Sequence, residues 1–160
     1  MKKIFLSILL IITCVYYAGA GIKEKAVGPG ICLGEPTGFS FKMWTGDEGA
    51  IDGLIGWSLR KGNRLFIRVN FLRHRFSEFK VKSGKLPFYY GIGTNFRETE
   101  DEDGDNENRI GINGLAGISY ILKNHPIELY VEMGPVIDII PQLEVTAIGG
   151  IGVRYYFDSF

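Results

Sequence analysis

Apolar and polar residues alternate with a period of two along most of the chain, which indicates β-strands rather than helices. In the final alternating segment, the odd positions from Leu143 to Phe157 are almost wholly apolar, whereas the even positions mix charge, Gly and Tyr. The segment at 127–137 alternates in the same way. Six earlier segments follow the pattern, the first more weakly, and their apolar faces begin at Val27, Phe39, Ile51, Leu65, Leu86 and Ile110. We therefore predict eight strands and an all-β fold.

Gly, Pro, Asn and charged residues separate these segments and predict the connections between strands. The predicted connections lie at 34–37, 46–49, 60–63, 73–85, 98–108, 123–126 and 140–142. The sequence contains no internal repeat and no linker, and 160 residues leave little room for a second domain. The pattern predicts one β-barrel domain.

The first twenty residues predict a signal peptide. Met1 and two Lys residues precede an apolar run from Ile4 to Tyr17, and Ala18-Gly-Ala then provides a cleavage site. The run is shorter than the roughly 20 residues of a membrane-spanning helix; a retained N-terminal anchor is the alternative. We predict a signal peptide over 1–20 and a barrel over 21–160. Cleavage removes Cys14, so Cys32 has no internal disulfide partner and is predicted to be a buried apolar filler.

Composition excludes two broad classes of protein. The 18 Lys and Arg residues balance 18 Asp and Glu residues, which argues against a nucleic-acid binder. A hydrophobic content of 46% argues against disorder. The 22 Gly residues exceed the usual share of about 7% and suggest many turns or a crowded interior.

Alternation alone does not say which face of the barrel points outward. The signal peptide, the strand lengths and the position of the aromatic residues together favour a membrane barrel over a soluble periplasmic barrel that carries a lipid. On the apolar face, aromatic residues gather near the strand ends, as in the girdles at the two membrane interfaces. The predicted interface aromatics are Phe39, Trp57, Phe71, Phe88, Tyr90, Phe96, Tyr120, Tyr155 and Phe157.

The polar face then lines a narrow lumen, in which Gly makes room for large inward side chains. Charges on this face need partners because little water reaches them. The candidates are Lys42, Asp52, Arg68, Glu128, Glu132, Asp138, Glu144 and Arg154. A hairpin centred on Pro141 would place Arg154 opposite Glu128. We also expect Lys42, Arg68 and Glu132 to share one level, and the charges to form a network that plugs the lumen.

Several stretches resemble a family of small bacterial outer-membrane barrels, some of them described in spirochaetes as porin-like or OmpA-like. The matching stretches are GEPTG at 34–38, AIDG at 50–53 with WS at 57–58, GKLPFYYGIG at 84–93, PVIDIIP at 135–141 and GVRYYF at 152–157. The resemblance covers nearly all of the mature chain. It implies an eight-stranded OmpA/OmpX-type antiparallel up-and-down barrel and brings no catalytic residues.

The last strand also resembles the signal read by the barrel-assembly machinery. In that pattern a Gly is followed by aromatic residues three and five positions later, which Gly152, Tyr155 and Phe157 match. The polar residue expected two places before the Gly is Gly150 here. The chain continues to Phe160, so either Phe157 or Phe160 is the functional end.

The acidic stretch at 98–108 contains Asp101, Asp103 and Asp105 at the spacing of a calcium loop. Asn106 replaces the required Gly and Ile112 the required Glu, so a solvated outer loop is favoured over a specific site. Weak divalent-cation binding at the lipopolysaccharide surface stays open.

The 73–85 connection is basic and contacts anionic headgroups or merely faces water. The two His residues, His74 and His125, fall in predicted periplasmic turns, far from the outer leaflet where a lipid A enzyme would act. We therefore predict no enzymatic activity.

These observations predict an integral outer-membrane barrel that is structural or a narrow, porin-like passage. A surface-exposed binding protein or adhesin that uses its outer loops is the alternative, although only the acidic loop is long. The expected partners are outer-membrane lipid, lipopolysaccharide and the barrel-assembly machinery. We expect a monomer without a cofactor, a metal or nucleic acid.

Overall fold

The structure is a computed structural model that describes residues 26–58, 63–79, 81–100 and 106–157. Eight antiparallel strands follow one another in chain order and form a closed barrel, as predicted. The strands are β1 (Val27–Glu35), β2 (Thr37–Trp44), β3 (Gly49–Trp57), β4 (Asn63–Arg75), β5 (Phe88–Glu100), β6 (Asn106–Ile121), β7 (Ile127–Ile140) and β8 (Glu144–Tyr155). The predicted signal peptide, Phe160 and the three Asp residues at 101, 103 and 105 lie outside the described residues. In the described part of the chain, no helix is long and apolar enough to span a membrane.

The barrel closes where β1 pairs with β8, from Gly30 opposite Arg154 to Glu35 opposite Gly149. Because the number of strands is even, both ends of the described chain lie at the same end of the barrel. We call this the terminal end; it also carries the connections 45–48, 76–87 and 122–126. At the opposite, distal end, strands β1, β3, β5 and β7 end and strands β2, β4, β6 and β8 begin.

The register of the β7–β8 hairpin confirms the predicted centre at Pro141. Ile127 lies opposite Tyr155, and Glu128 lies opposite Arg154. A hairpin transmits its register along both strands, so a correctly placed turn settles every cross-strand pair.

The strands extend into several of the predicted connections, most of all at 73–85 and 98–108. The 73–85 stretch was predicted to be a connection, but β4 continues to Arg75, and His74 pairs with Tyr89 of β5. Likewise, most of the acidic stretch at 98–108 belongs to the β5–β6 hairpin, in which Glu98 pairs with Asn108. Charged residues suggested turns, yet a barrel whose interior is polar accepts such residues within its strands.

The polarity of the barrel is the reverse of that of a soluble protein. Exposed outer positions are apolar, including Phe39 and Met133, of which 68% and 69% are exposed. About half of the buried inner positions are polar or charged, including Lys42, Asp52 and Arg154, none of which is exposed. Cys32 is buried as predicted, and only 3% of it is exposed.

Glycine residues on the inner wall give space to aromatic side chains from neighbouring strands. A Cβ atom added at Gly117 would lie 2.5 Å from Cζ of Tyr89 and 2.6 Å from its hydroxyl oxygen. A Cβ atom at Gly28 would meet the ring of Tyr156 at 2.5–2.8 Å. Small and large residues therefore interlock across the lumen, which is how small barrels fill their interiors.

The Gly117→Ala variant should lose about 1–3 kcal/mol of stability, because the added methyl group overlaps the Tyr89 ring. The displaced hydroxyl also donates a hydrogen bond to Glu132. The matched control is Gly114→Ala on the same strand, where the new Cβ atom would meet only the Pro135 ring at 3.6 Å. Urea unfolding in detergent micelles measures both variants, and equal stability of the two would contradict this account of the inner wall.

Candidate functional site: the charge network of the lumen

Six charged side chains from five strands meet inside the barrel. Each of them is at most 3% exposed. They are Lys42, Asp52, Arg68, Glu128, Glu132 and Arg154. Three are cations and three are anions, so the cluster carries no net charge. We call it the central network. It contains six of the eight charged residues that the sequence predicted for the lumen, all except Asp138 and Glu144.

Arg154 occupies the middle of the central network. Its Nη2 atom lies 2.7 Å from Oδ2 of Asp52, and its Nη1 atom lies 3.4 Å from Oε2 of Glu128. Glu128 also accepts a hydrogen bond from Nζ of Lys42 at 2.6 Å. Each of these charges is therefore compensated, as charges removed from water must be.

Asp52 links this half of the central network to the other. Nη2 of Arg68 lies 3.6 Å from Oδ1 of Asp52 and forms an ion pair with Glu132. Tyr89 donates a hydrogen bond from its hydroxyl group to Oε2 of Glu132 at 2.8 Å. The contacts thus connect strands β2, β3, β4, β5, β7 and β8 across the lumen.

Neutral side chains satisfy further atoms of the central network. Asn70 donates to Oδ1 of Asp52 at 3.1 Å, and Tyr156 donates to Oε2 of Glu128 at 2.6 Å. The Arg154 guanidinium lies 3.8 Å from the centre of the Tyr130 ring. Stacking and hydrogen bonds of this kind fix the side chains of a buried polar network in place.

Glu144 does not join the central network. It lies at the distal end, where its side chain is 39% exposed and forms an ion pair with Arg109. Lys42, Arg68 and Glu132 were predicted to lie at the same depth in the lumen. Arg68 does contact Glu132, whereas Lys42 binds Glu128. These pairings follow from the tilt and stagger of the strands in a closed barrel, which a linear sequence does not display.

A second buried pair lies nearer the distal end. Arg97 forms an ion pair with Asp138, and Asn95 donates to Oδ1 of Asp138 at 3.0 Å. Sequence reasoning included Asp138 but missed Arg97 and Asn95. Continuing the alternation of β5 by one more inward position would have identified Arg97, had the stretch from 98 not been assigned to a loop.

The predicted turn residue His74 is buried inside the terminal end of the lumen. Its ring centre lies 4.3 Å from that of Trp44 and 5.2 Å from that of Tyr89. Its Nδ1 atom lies 3.2 Å from the carbonyl oxygen of Glu48. His74 therefore belongs to an aromatic layer between the central network and the terminal end, while His125 is exposed in a turn.

The nine predicted interface aromatics lie on the outer face, fully or partly exposed. Those towards the terminal end are Phe71, Phe88, Tyr90, Tyr120, Tyr155 and Phe157, and those towards the distal end are Phe39, Trp57 and Phe96. Near the terminal end, Tyr155 and Phe157 pack edge to face with ring centres 5.6 Å apart. In the predicted assembly signal, Gly152 faces inward and these two aromatic rings face outward.

The central network can hold strands together and obstruct passage, but its groups are engaged with one another. No group of three or more His, Cys, Asp or Glu side chains in the described part of the chain is arranged to hold a metal ion.

The fold and the inverted polarity define an eight-stranded antiparallel β-barrel of the outer-membrane type. Among solved structures, the chain is similar to the N-terminal β-barrel domain of Pseudomonas aeruginosa OprF. The two share 12% identity and a TM-score of 0.57 over 83% of this chain and 96% of that one. At this identity the likeness establishes the fold alone.

Two further structures match with lower scores. Neisserial surface protein A (NspA) has 16% identity and a TM-score of 0.47, with 83% of this chain and 94% of that one covered. Ail, the attachment invasion locus protein of Yersinia pestis, has 13% identity and a TM-score of 0.38, with coverage of 83% and 95%. No protein-family model and no curated protein matches the sequence.

Proposed function

We propose that this protein is an integral barrel of the bacterial outer membrane with a structural role, and that its own side chains close the lumen. The single observation that carries the proposal is the inverted polarity: an apolar outer wall surrounds a neutral, cross-linked cluster of charges. The proposal has two parts: the outer wall contacts lipid, and the lumen does not pass solutes.

The outer wall supports contact with lipid. Large apolar side chains such as Ile92 and Val131, 65% and 52% exposed, recur around the barrel. Soluble monomers rarely expose contiguous apolar surface beyond a few hundred Å². Water would disfavour such a surface by roughly 25 cal/mol per Å², whereas a bilayer accommodates it. The rows of aromatic residues near both ends agree with two membrane interfaces.

The interior supports a closed lumen. An eight-stranded barrel is only wide enough for its side chains to fill. The central network spans that width, and Trp44, His74 and Tyr89 form a further layer towards the terminal end. A steady aqueous pore would require these paired charges to separate. We therefore favour a structural role over the narrow, porin-like passage.

The short connections at the distal end disfavour an adhesin. One residue separates β1 from β2, and 141–143 separate β7 from β8. In the acidic stretch, 98–100 pair with 106–108 as part of strands β5 and β6. An adhesin would need longer loops to contact a partner. We also propose no enzymatic activity, because His74 is buried among aromatic rings and His125 lies in a turn.

The proposal extends to partners and location. The protein would be a monomer in contact with outer-membrane lipid and lipopolysaccharide, inserted by the barrel-assembly machinery through its last strand. Cell fractionation combined with a heat-modifiability gel tests location and folding together. A soluble protein, or one whose mobility does not change on heating, would overturn the membrane proposal.

In planar bilayers, the purified protein should give no large, stable conductance, because the central network blocks the lumen. The Arg68→Ser/Glu132→Ser variant removes one ion pair without leaving a net charge, and it should conduct measurably more. The Arg109→Ser/Glu144→Ser variant provides the control, since that pair lies outside the central network. A large steady conductance from the unmodified protein would contradict the closed lumen.

A further inference from the structure

A cavity of about 580 Å³ opens at the terminal end of the barrel. The 81–85 segment of the β4–β5 connection, the turn after β6 and the residues that follow β8 form its walls. Its size lies within the range of small-molecule sites. The cavity contains none of the six charged residues of the central network, and it meets the network at Tyr156, whose hydroxyl group donates a hydrogen bond to Glu128.

The cavity is lined by positive charge. Lys82, Lys85 and Lys123 contribute to its walls together with His125. No carboxylate occurs among the described residues that line it. By contrast, Arg73 at the same end of the barrel pairs with Glu48. The ammonium group of Lys85 lies 5.6 Å from the centre of the Phe76 ring. Three lysines around a cavity without a described carboxylate favour an anionic occupant.

Hydrogen bonds hold the walls of the cavity in place. Lys85 and Ile121 exchange two backbone hydrogen bonds of 2.9 and 2.8 Å. The Tyr120 hydroxyl group donates to the carbonyl oxygen of Ser83 at 3.1 Å. Gly84 turns the chain with a φ of 73°, and a Cβ atom there would lie 2.5 Å from the carbonyl oxygen of Ile121. The cationic segment is therefore attached to the barrel.

The position of the cavity indicates the source of the anion. Tyr155 and Phe157 line it, and they are also exposed on the outer wall by 50% and 74%. Amphipathic aromatic rings prefer the level at which lipid headgroups meet the hydrocarbon. A ligand in the cavity would therefore have its polar part among the lysines and an apolar part beside these two rings.

We propose that this cavity binds the phosphate group of an anionic phospholipid, with the acyl chains along the outer wall beside Tyr155 and Phe157. The inference rests on the proposed membrane location. It assigns a function to part of the basic 73–85 stretch, for which the sequence left headgroup contact and simple solvation open. The same chemistry would recognise free phosphate, so the test separates the two sources.

The experiment uses the mature protein, delipidated in a neutral detergent. Native mass spectrometry follows titration with phosphatidylglycerol, with phosphatidylcholine and with inorganic phosphate. Phosphatidylglycerol should bind more tightly than either of the others. The Lys82→Gln/Lys123→Gln variant should bind phosphatidylglycerol about 30-fold more weakly, at about fivefold per lysine near an anionic lipid.

Arg73→Gln is the matched control, since it removes one positive charge at the same end but outside the cavity. It should leave binding of phosphatidylglycerol unchanged, and a loss as large as that of the double variant would overturn the site. Equal binding of the two lipids would also overturn it, and inorganic phosphate binding as tightly as phosphatidylglycerol would refute the lipid source.

A heat-modifiability gel of the unmodified protein and all variants reports folding independently. If the protein folds and inserts into lipid vesicles but does not prefer phosphatidylglycerol to phosphatidylcholine, only the lipid-binding inference is refuted. If the protein does not insert into vesicles, the proposed membrane function is refuted.

Discussion

The Arg154→Met variant should be less stable by about 3–5 kcal/mol, because removing one partner leaves buried carboxylates without their counter-charge. Arg154 is not exposed and contacts both Asp52 and Glu128. Methionine retains much of the side-chain length but carries no charge. The central network would then hold one more anion than cations in a region that excludes water.

Urea unfolding in micelles, followed by the gel shift between folded and unfolded forms, measures this effect. The Glu144→Gln variant is the control, since it removes a charge that is 39% exposed and lies outside the central network; its effect should be within about 1 kcal/mol, as for exposed ion pairs.

Adding Asp52→Asn to the Arg154→Met variant should recover part of the lost stability, because it restores charge balance. No loss in the single variant, or a further loss in the double variant, would show that net charge does not govern the lumen.

The Met133→Arg variant should lose about 2–4 kcal/mol of folding stability in lipid vesicles, as expected for Arg facing the middle of a bilayer. Met133 lies near the centre of β7 on the outer wall and is 69% exposed. The loss arises from transferring a guanidinium group from water to hydrocarbon. On a soluble barrel the same exposed substitution would change stability little.

Ile140→Arg is the control, because Ile140 is 56% exposed and ends the same strand at the distal end. Near a membrane interface, Arg should cost only about 0–1 kcal/mol. Folding into lipid vesicles with urea titration compares the two variants. Equal and small effects would indicate that the outer wall does not face lipid.

Part of the lumen could be predicted because its pairs are local in the hairpin. Glu128 and Arg154 belong to consecutive strands, and alternation together with a turn at Pro141 places them opposite each other. The inward direction of Arg68 followed from the same alternation. In these cases, the alternation of residues and the position of one turn are enough to predict which way a side chain faces and which residue lies opposite it.

The contacts across the lumen were not predictable in the same way. Lys42 binds Glu128, 86 positions away, although sequence reasoning had placed Lys42 with Arg68 and Glu132. Arg154 likewise reaches Asp52, 102 positions away. Such pairs depend on the closure of the barrel and on the stagger between strands. The alternation of residues within one strand carries no information about either.

The strand ends were also predicted incorrectly. His74 and the two ends of the acidic stretch, 98–100 and 106–108, were assigned to connections because charged and polar residues mark turns in most proteins. In a barrel with a polar interior, polar residues such as His74 continue the inner face, so polarity no longer distinguishes a strand end from a loop. Only the pairing of His74 with Tyr89 placed it inside the lumen.

By itself, the sequence determined the number of strands, the two faces of each strand and the register of the last hairpin. All three depend only on residues close together in the sequence and on the two-residue alternation of a β-strand. The tertiary structure decided which buried charges neutralise one another, which residues close the terminal end and where the basic cavity forms. These features arise only when strands distant in sequence curve into contact, because electrostatic pairing and cavity shape depend on distances through space.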